Sequence, residues 1–152
     1  PETHSVMIAH AAYPNLDLQE RDQNGKLLPS SLSFNIVTKL LRQEIGFKGL
    51  VVTDDLEMGA IVNNYGMGEA CKMAFLAGVD MLLICANAEA VREGFRAISK
   101  AVKSGEISAE KLDESLQRIA EFKNLMHSPL TFDKNRLAEL SKEIEKLNEK
   151  LK

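Results

Sequence analysis

Two adjacent carboxylates, Asp54 and Asp55, stand directly behind an apolar, β-branched run at residues 49–53. Such a run reads as a buried strand. A carboxylate at the end of a buried parallel strand lies at the carboxyl edge of its sheet, where α/β proteins bind ligands and carry out chemistry. An ionised aspartate placed there can act as a nucleophile. Asp54 or Asp55 also suits the start of a helix, where a side-chain oxygen accepts backbone N–H groups, so the local pattern leaves chemistry and capping both open. His10 closes an earlier apolar run at residues 5–9.

Other chemistries find less support. His4, His10 and His127 show no metal-ligand spacing, so neither a metal site nor a cofactor is expected. Cys71 falls on a predicted helix and Cys85 at the end of a predicted strand. Both read as buried free thiols, which suits a reducing compartment, and the expected location is cytoplasmic. Gly66-x-Gly68 has Cys71 where a dinucleotide fingerprint needs its third glycine, and no strand directly precedes it. The formal net charge of -3 supplies no basic field for nucleic acid. No apolar run reaches membrane-spanning length.

The chain of 152 residues, 45% hydrophobic and 27% charged, suffices for one domain with a core. It opens at Pro1-Glu2-Thr3 without a Met, and its natural start is expected to be missing. Three apolar strands are expected, at residues 5–9, 49–53 and 79–85. A long polar connection at 11–31 separates the first strand from a helix that Ser33 caps. That helix runs to about Ile45, with Phe34, Val37, Leu40 and Leu41 on its apolar face. Residues 57–64 read as a loose helical turn. Residues 66–77 form a helix with Ala70, Met73, Ala74 and Ala77 inward, and Gly78 ends it. Asn87 caps a helix with Val91, Phe95, Ile98 and Val102 on one face, and Ser108 caps another carrying Leu112, Leu116, Ile119 and Met126. Asp133 caps the last, where Leu137, Leu140, Ile144, Leu147 and Leu151 recur at spacings of three and four.

Apolar strands alternating with helices indicate an α/β fold of parallel βα units. Three units are too few for a closed barrel, and an open sheet leaves two bare edges.

Several stretches together resemble a known family. They are Val6-Met7-Ile8-Ala9-His10, Pro29-Ser30-Ser31-Leu32-Ser33, Leu40-Leu41-Arg42, the run from Gly46-Phe47-Lys48-Gly49 through Thr53-Asp54-Asp55-Leu56-Glu57-Met58 to Ile61, and Ala77-Gly78-Val79-Asp80. In order and spacing they resemble glycoside hydrolase family 3, and within it the bacterial β-N-acetylhexosaminidase branch. The resemblance implies a partial (β/α)8 TIM barrel comprising strands six to eight. Residues 1–130 would form the C-terminal part of that barrel, and 131–152 a terminal amphipathic helix packing on it. The nucleophile of the family is the aspartate of Ser/Thr-Asp-x-Leu-x-Met, which here is Asp54. Asp55 stands where the β-glucosidase branch usually carries Trp, and this favours the hexosaminidase branch.

The resemblance further implies a carbohydrate substrate, a terminal N-acetylhexosamine of muropeptide or chitooligosaccharide type, and a place in peptidoglycan recycling. His10 is a candidate substrate contact or a hydrogen-bonded structural histidine. Asp55 either binds sugar hydroxyls and orients the loop, or caps the next helix. Met58 either packs beside the sugar or fills the core. The branch's acid/base histidine loop, near Lys-His-Phe-Pro-Gly-His-Gly, does not occur in this sequence. The expected function is therefore the nucleophile-bearing portion of a retaining exo-β-N-acetylglucosaminidase. The alternatives are a β-glucosidase, a phosphorylase of the same family, or a non-catalytic βα module serving assembly. Alone, the chain is expected to be inactive and to self-associate or to need the N-terminal part of the barrel as partner.

Overall fold

The computed structural model describes residues 3–129 and 131–151. Its centre is a three-stranded parallel sheet in the order β1 (Ser5–Ile8), β2 (Leu50–Asp55), β3 (Met81–Leu83). Strand order follows chain order, and each crossover carries helices, as successive βα units require. β2 therefore lies in the middle. The outer strands are shorter than their apolar runs, because β3 pairs only over Met81–Leu83 and leaves Val79 and Cys85 outside.

The two faces of the sheet differ. On one, Val51 and Thr53 of β2 are fully buried beneath the helices. On the other, Met7 pairs with Val52 and Val52 with Met81, which sets the three in one row across the strands. Met7 is 57% and Met81 42% exposed, so this row is open.

Helices α1 (Gly59–Val62) and α2 (Met67–Ala77) join β2 to β3. α2 buries Ala70, Cys71, Ala74 and Ala77 and leaves Met73 half-buried against the core. It ends at Gly78, whose φ of 113° suits only glycine, and a Cβ there would meet Thr38 Oγ1 at 2.6 Å. Helices α3 (Ala88–Ser104), α4 (Ala109–Asn124) and α5 (Lys134–Lys150) begin at the expected caps. The Asn87, Ser108 and Asp133 side chains each accept N–H groups of the first turn.

The sequence expectations need several corrections. The helix Asn35–Glu44 is of the wide π type, closed by Ile45 N–H donating to Leu40 O five residues back. That spacing turns Ile36 and Val37 inward and leaves Phe34 42% exposed. Its start is held by the Ser33 hydroxyl, which accepts Ile36 N–H, and by Glu20, which accepts Asn35 N–H from the preceding connection. The connection itself is ordered: the Gln19 amide donates to Glu20 O and Leu28 O, and Asp22 Oδ1 accepts the N–H groups of Asn24 and Lys26. α3 packs on α2 through Gly94, where a Cβ would come within 2.7 Å of Cys71 Sγ, and this close approach turns Val91 and Phe95 out to solvent. On α4, Leu112 and Ile119 are half-buried, while Leu116 and Met126, beyond its end, are exposed. The expected packing of the terminal helix on the body is not made within this chain as far as residue 151, the last described: α5 buries no residue, and its Leu137 to Leu151 stripe is exposed throughout. Cys71 is a buried free thiol as expected, but Cys85 is exposed.

Candidate active site at the carboxyl edge

The carboxyl ends of β1, β2 and β3 bring His10, Asp54, Asp55, Glu57 and Cys85 into one neighbourhood. A break in the β2–β3 register shapes it. Val52 opposes Met81 but Asp55 opposes Leu83, so β2 carries one extra residue over this span. The fully buried Thr53 hydroxyl accepts Leu83 N–H at 2.9 Å, within this irregular stretch. Bulges of this kind re-aim the side chains beside them and recur next to active sites. Here the ones beside it are Asp54 and Asp55. The extra residue also extends β2 to Asp55, so both aspartates belong to the strand end.

Asp54 is half-buried. Its Oδ1 accepts Asp55 N–H at 2.8 Å, and its Oδ2 makes no hydrogen bond among the described residues. Asp55 does not cap a helix. Its Oδ1 accepts Glu57 N–H at 3.1 Å, closing a turn before α1, whose first residue follows Met58 without any side-chain cap. Met58 is 46% exposed, which removes the core-filling alternative for it.

His10 is committed at both ring nitrogens. Nε2 donates to the Asp55 carbonyl at 2.9 Å, because a carbonyl only accepts. Nδ1 then accepts from the buried Ser31 hydroxyl at 2.6 Å. The imidazole thus ties the end of β1, the Ser30–Leu32 turn and the end of β2 together. The Asp55 carbonyl accepts Met58 N–H as well.

Two participants carry no signal in the sequence. Glu57 accepts Ala86 N–H at 2.6 Å and Asn87 N–H at 3.1 Å, which pins the loop after β2 to the loop after β3. Cys85 faces the carboxylates. The side chain is exposed, yet partial loss of water around the sulfur comes first and the charges of Asp55, Glu57 and Asp54 add to it, and together they push the thiol up from the ordinary value. Among the described residues no three His, Cys, Asp or Glu side chains form a metal-binding group, and no helix is long and apolar enough to cross a membrane.

Residues 2–122 match the family described as Glycosyl hydrolase family 3 N terminal domain. The β-hexosaminidase A of Pseudoalteromonas piscicida is 31% identical over 127 residues, which cover 78% of this chain and 21% of that protein. The structure of a glycoside hydrolase family 3 β-N-acetylglucosaminidase from a Paenibacillus strain superposes with a TM-score of 0.74 at 36% identity, over 86% of this chain and 24% of that one. A β-glucoside phosphorylase bound to 2FGlc gives a TM-score of 0.68 at 29% identity, over 79% and 21%. The chain thus spans about a quarter or less of the length of these relatives.

Proposed function

This chain belongs to glycosyl hydrolase family 3, and we propose that it supplies the nucleophile, Asp54, of a retaining exo-β-N-acetylhexosaminidase. A retaining glycosidase places one carboxylate to attack the anomeric carbon and a second group to protonate the leaving oxygen. The observation that carries the reading is the state of Asp54. It stands at the carboxyl end of the central strand, with Oδ1 held by Asp55 N–H and Oδ2 uncommitted among the described residues. An oxygen fixed in direction yet unoccupied is what an attacking group needs. The β-hexosaminidase and β-N-acetylglucosaminidase relatives support an N-acetylhexosamine as the sugar, and the substrate proposed is a terminal one of muropeptide or chitooligosaccharide type. Such a role fits peptidoglycan recycling in the cytoplasm.

Within this reading β1, β2 and β3 are strands six to eight of an eight-stranded barrel, and the open row of Met7, Val52 and Met81 faces its interior. His10 is a positioning residue: with both nitrogens engaged it supports Asp55 and is not the acid. The acid/base then comes from the part of the barrel outside this sequence. The chain alone turns over no glycoside and self-associates through its open row or the α5 stripe, which sedimentation with an aryl-glycoside assay on the same sample tests.

The test of the nucleophile is covalent. A chimera in which this chain replaces the matching segment of the Pseudoalteromonas relative is treated with a mechanism-based fluoro-sugar. Mass mapping is expected to find the label on the peptide containing Asp54. A label elsewhere, with Asp54 unmodified, overturns the assignment. The likeness to the phosphorylase favours a second reading, in which phosphate replaces water as acceptor. Turnover that requires phosphate and yields a sugar 1-phosphate would establish it.

A further inference from the structure

The amino edge of the sheet holds a second polar constellation, remote from Asp54. A cavity of about 110 Å3 lies there, lined by residues that include Arg42, Lys111, Glu114, Ser115 and Arg118. A single water needs roughly 10–15 Å3, so the space admits a polyatomic guest. A cleft of about 370 Å3 adjoins it, sharing Thr38, Arg42, Glu114 and Arg118.

We propose that this cavity binds a small oxyanion of phosphate size, held by Lys111, Arg118 and the Ser115 hydroxyl. The proposal is independent of the glycosidase reading. Its first support is Ser115, which is 3% exposed and whose hydroxyl is buried with no hydrogen-bond partner among the described residues. Buried hydroxyls are otherwise almost always paired, and an unpaired one in a cavity wall points to a missing guest. The second support is the inventory of donors. Lys111 Nζ spends one of its three on Leu76 O at 2.9 Å. Arg118 spends Nε on Asp80 Oδ1 at 2.9 Å, while its Nη1 lies 3.8 Å from Glu114, too far for a hydrogen bond.

The third support is charge. Arg42, Lys111 and Arg118 face Asp80 and Glu114, which leaves one positive charge in excess. Asp80 has no oxygen to spare: Oδ1 takes Arg118, and Oδ2 takes Arg42 and Val51 N–H. Glu114 has a side chain 59% exposed and free to turn to solvent. Burial pushes the Lys111 ammonium down from its ordinary value, with Arg118 and Arg42 adding to the effect against the opposing pull of Glu114 and Asp80. A guest that only accepts hydrogen bonds and carries negative charge answers all of these at once. A water would satisfy Ser115 and leave the charge. The anion could be free or the head of a phosphate monoester whose organic part lies in the larger cleft.

Thermal unfolding of the chain, with potassium phosphate exchanged for potassium chloride at constant ionic strength, tests the site. At a hundredfold excess over Kd, phosphate should raise Tm by roughly 5–10 °C, and the rise should continue with the logarithm of its concentration. Glycerol 3-phosphate in place of phosphate separates the two sources: tighter binding assigns the larger cleft to the ester's tail, and equal or weaker binding assigns the site to the free ion. Ser115→Ala should weaken phosphate about tenfold, and Lys111→Gln should abolish its effect. Phosphorus-31 line broadening on the unaltered chain gives a second readout should a variant fail to fold. Absence of a phosphate-specific response in the unaltered chain, or a response undiminished in both variants, overturns the proposal.

Discussion

At the carboxyl edge of the sheet Asp54 and Asp55 are half-buried, and each side chain accepts its hydrogen bond from adjacent backbone. At the amino edge Asp80 has no exposed side-chain surface and accepts from Arg42 at 2.7 Å, Arg118 at 2.9 Å and Val51 N–H at 2.9 Å. One residue type serves opposite ends. A carboxylate whose lone pairs are all taken by donors from three elements is a fastening. A carboxylate with one oxygen held and the other free is available for a reaction. The two arginines reach Asp80 from the helix Asn35–Glu44 and from α4, so the fastening joins two helices to the start of β2. Saturation of partners separates the two roles, not proximity to a strand end.

Four changes would break or sharpen this contrast. The largest effect is expected from Asp54→Ala in the assembled enzyme, where kcat on an aryl β-N-acetylglucosaminide should fall about 10⁴-fold or more with the fold intact, and Asp55→Asn should cost less. Near-normal kcat for Asp54→Ala would remove the chemical half of the comparison. Next in size, Asp80→Asn should cost about 3–5 kcal/mol in urea unfolding, because it leaves two poorly solvated guanidiniums without their counter-charge. A loss below about 1 kcal/mol would show that the amino edge is not a fastening.

The third change is in pH. Burial, with Glu93 nearby, pushes Cys71 from 9.0 up to about 11. The folded chain therefore keeps this proton when the unfolded chain has lost it, so unfolding free energy should fall as pH rises from 9 to about 11. The loss should be on the order of 2 kcal/mol, present in the parent and absent in Cys71→Ala. Equal pH slopes for the two proteins would refute the burial argument. Smallest is His10→Ala, which strands the buried Ser31 hydroxyl, leaves the Asp55 carbonyl with Met58 N–H as its remaining donor, and should cost about 1–2 kcal/mol of stability. In the assembled enzyme it should lower kcat more than it raises KM. A rise in KM alone would mean that His10 touches the sugar instead of positioning Asp55.

Much of this was legible in the sequence, and the reasons for the rest are physical. Caps announce themselves locally, and Asn87, Ser108 and Asp133 accept the N–H groups that their positions predicted. Parallel strands read as apolar runs, which located all three. Register does not read that way: the irregularity around Thr53 depends on a hydroxyl meeting Leu83, 30 residues on. Glu57 is silent for the same reason, since its partners Ala86 and Asn87 are backbone groups brought close only by the sheet. Helical faces failed where a small residue set the contact. Gly94 let α3 approach α2 and turned Phe95, apolar and at the right spacing, to solvent at 72% exposure.

The open row across the strands has a chemical consequence. Two of its three members, Met7 and Met81, are methionines, and thioethers in contact with solvent are oxidised by peroxide to polar sulfoxides. The face therefore carries its own footprinting reagent target. While the row is bare, both methionines should oxidise readily, and Met73, half-buried against the core, should lag behind them. Whatever covers that face will announce itself as a slowing of Met7 and Met81 together. Oxidation beforehand would turn an apolar surface polar and oppose the covering.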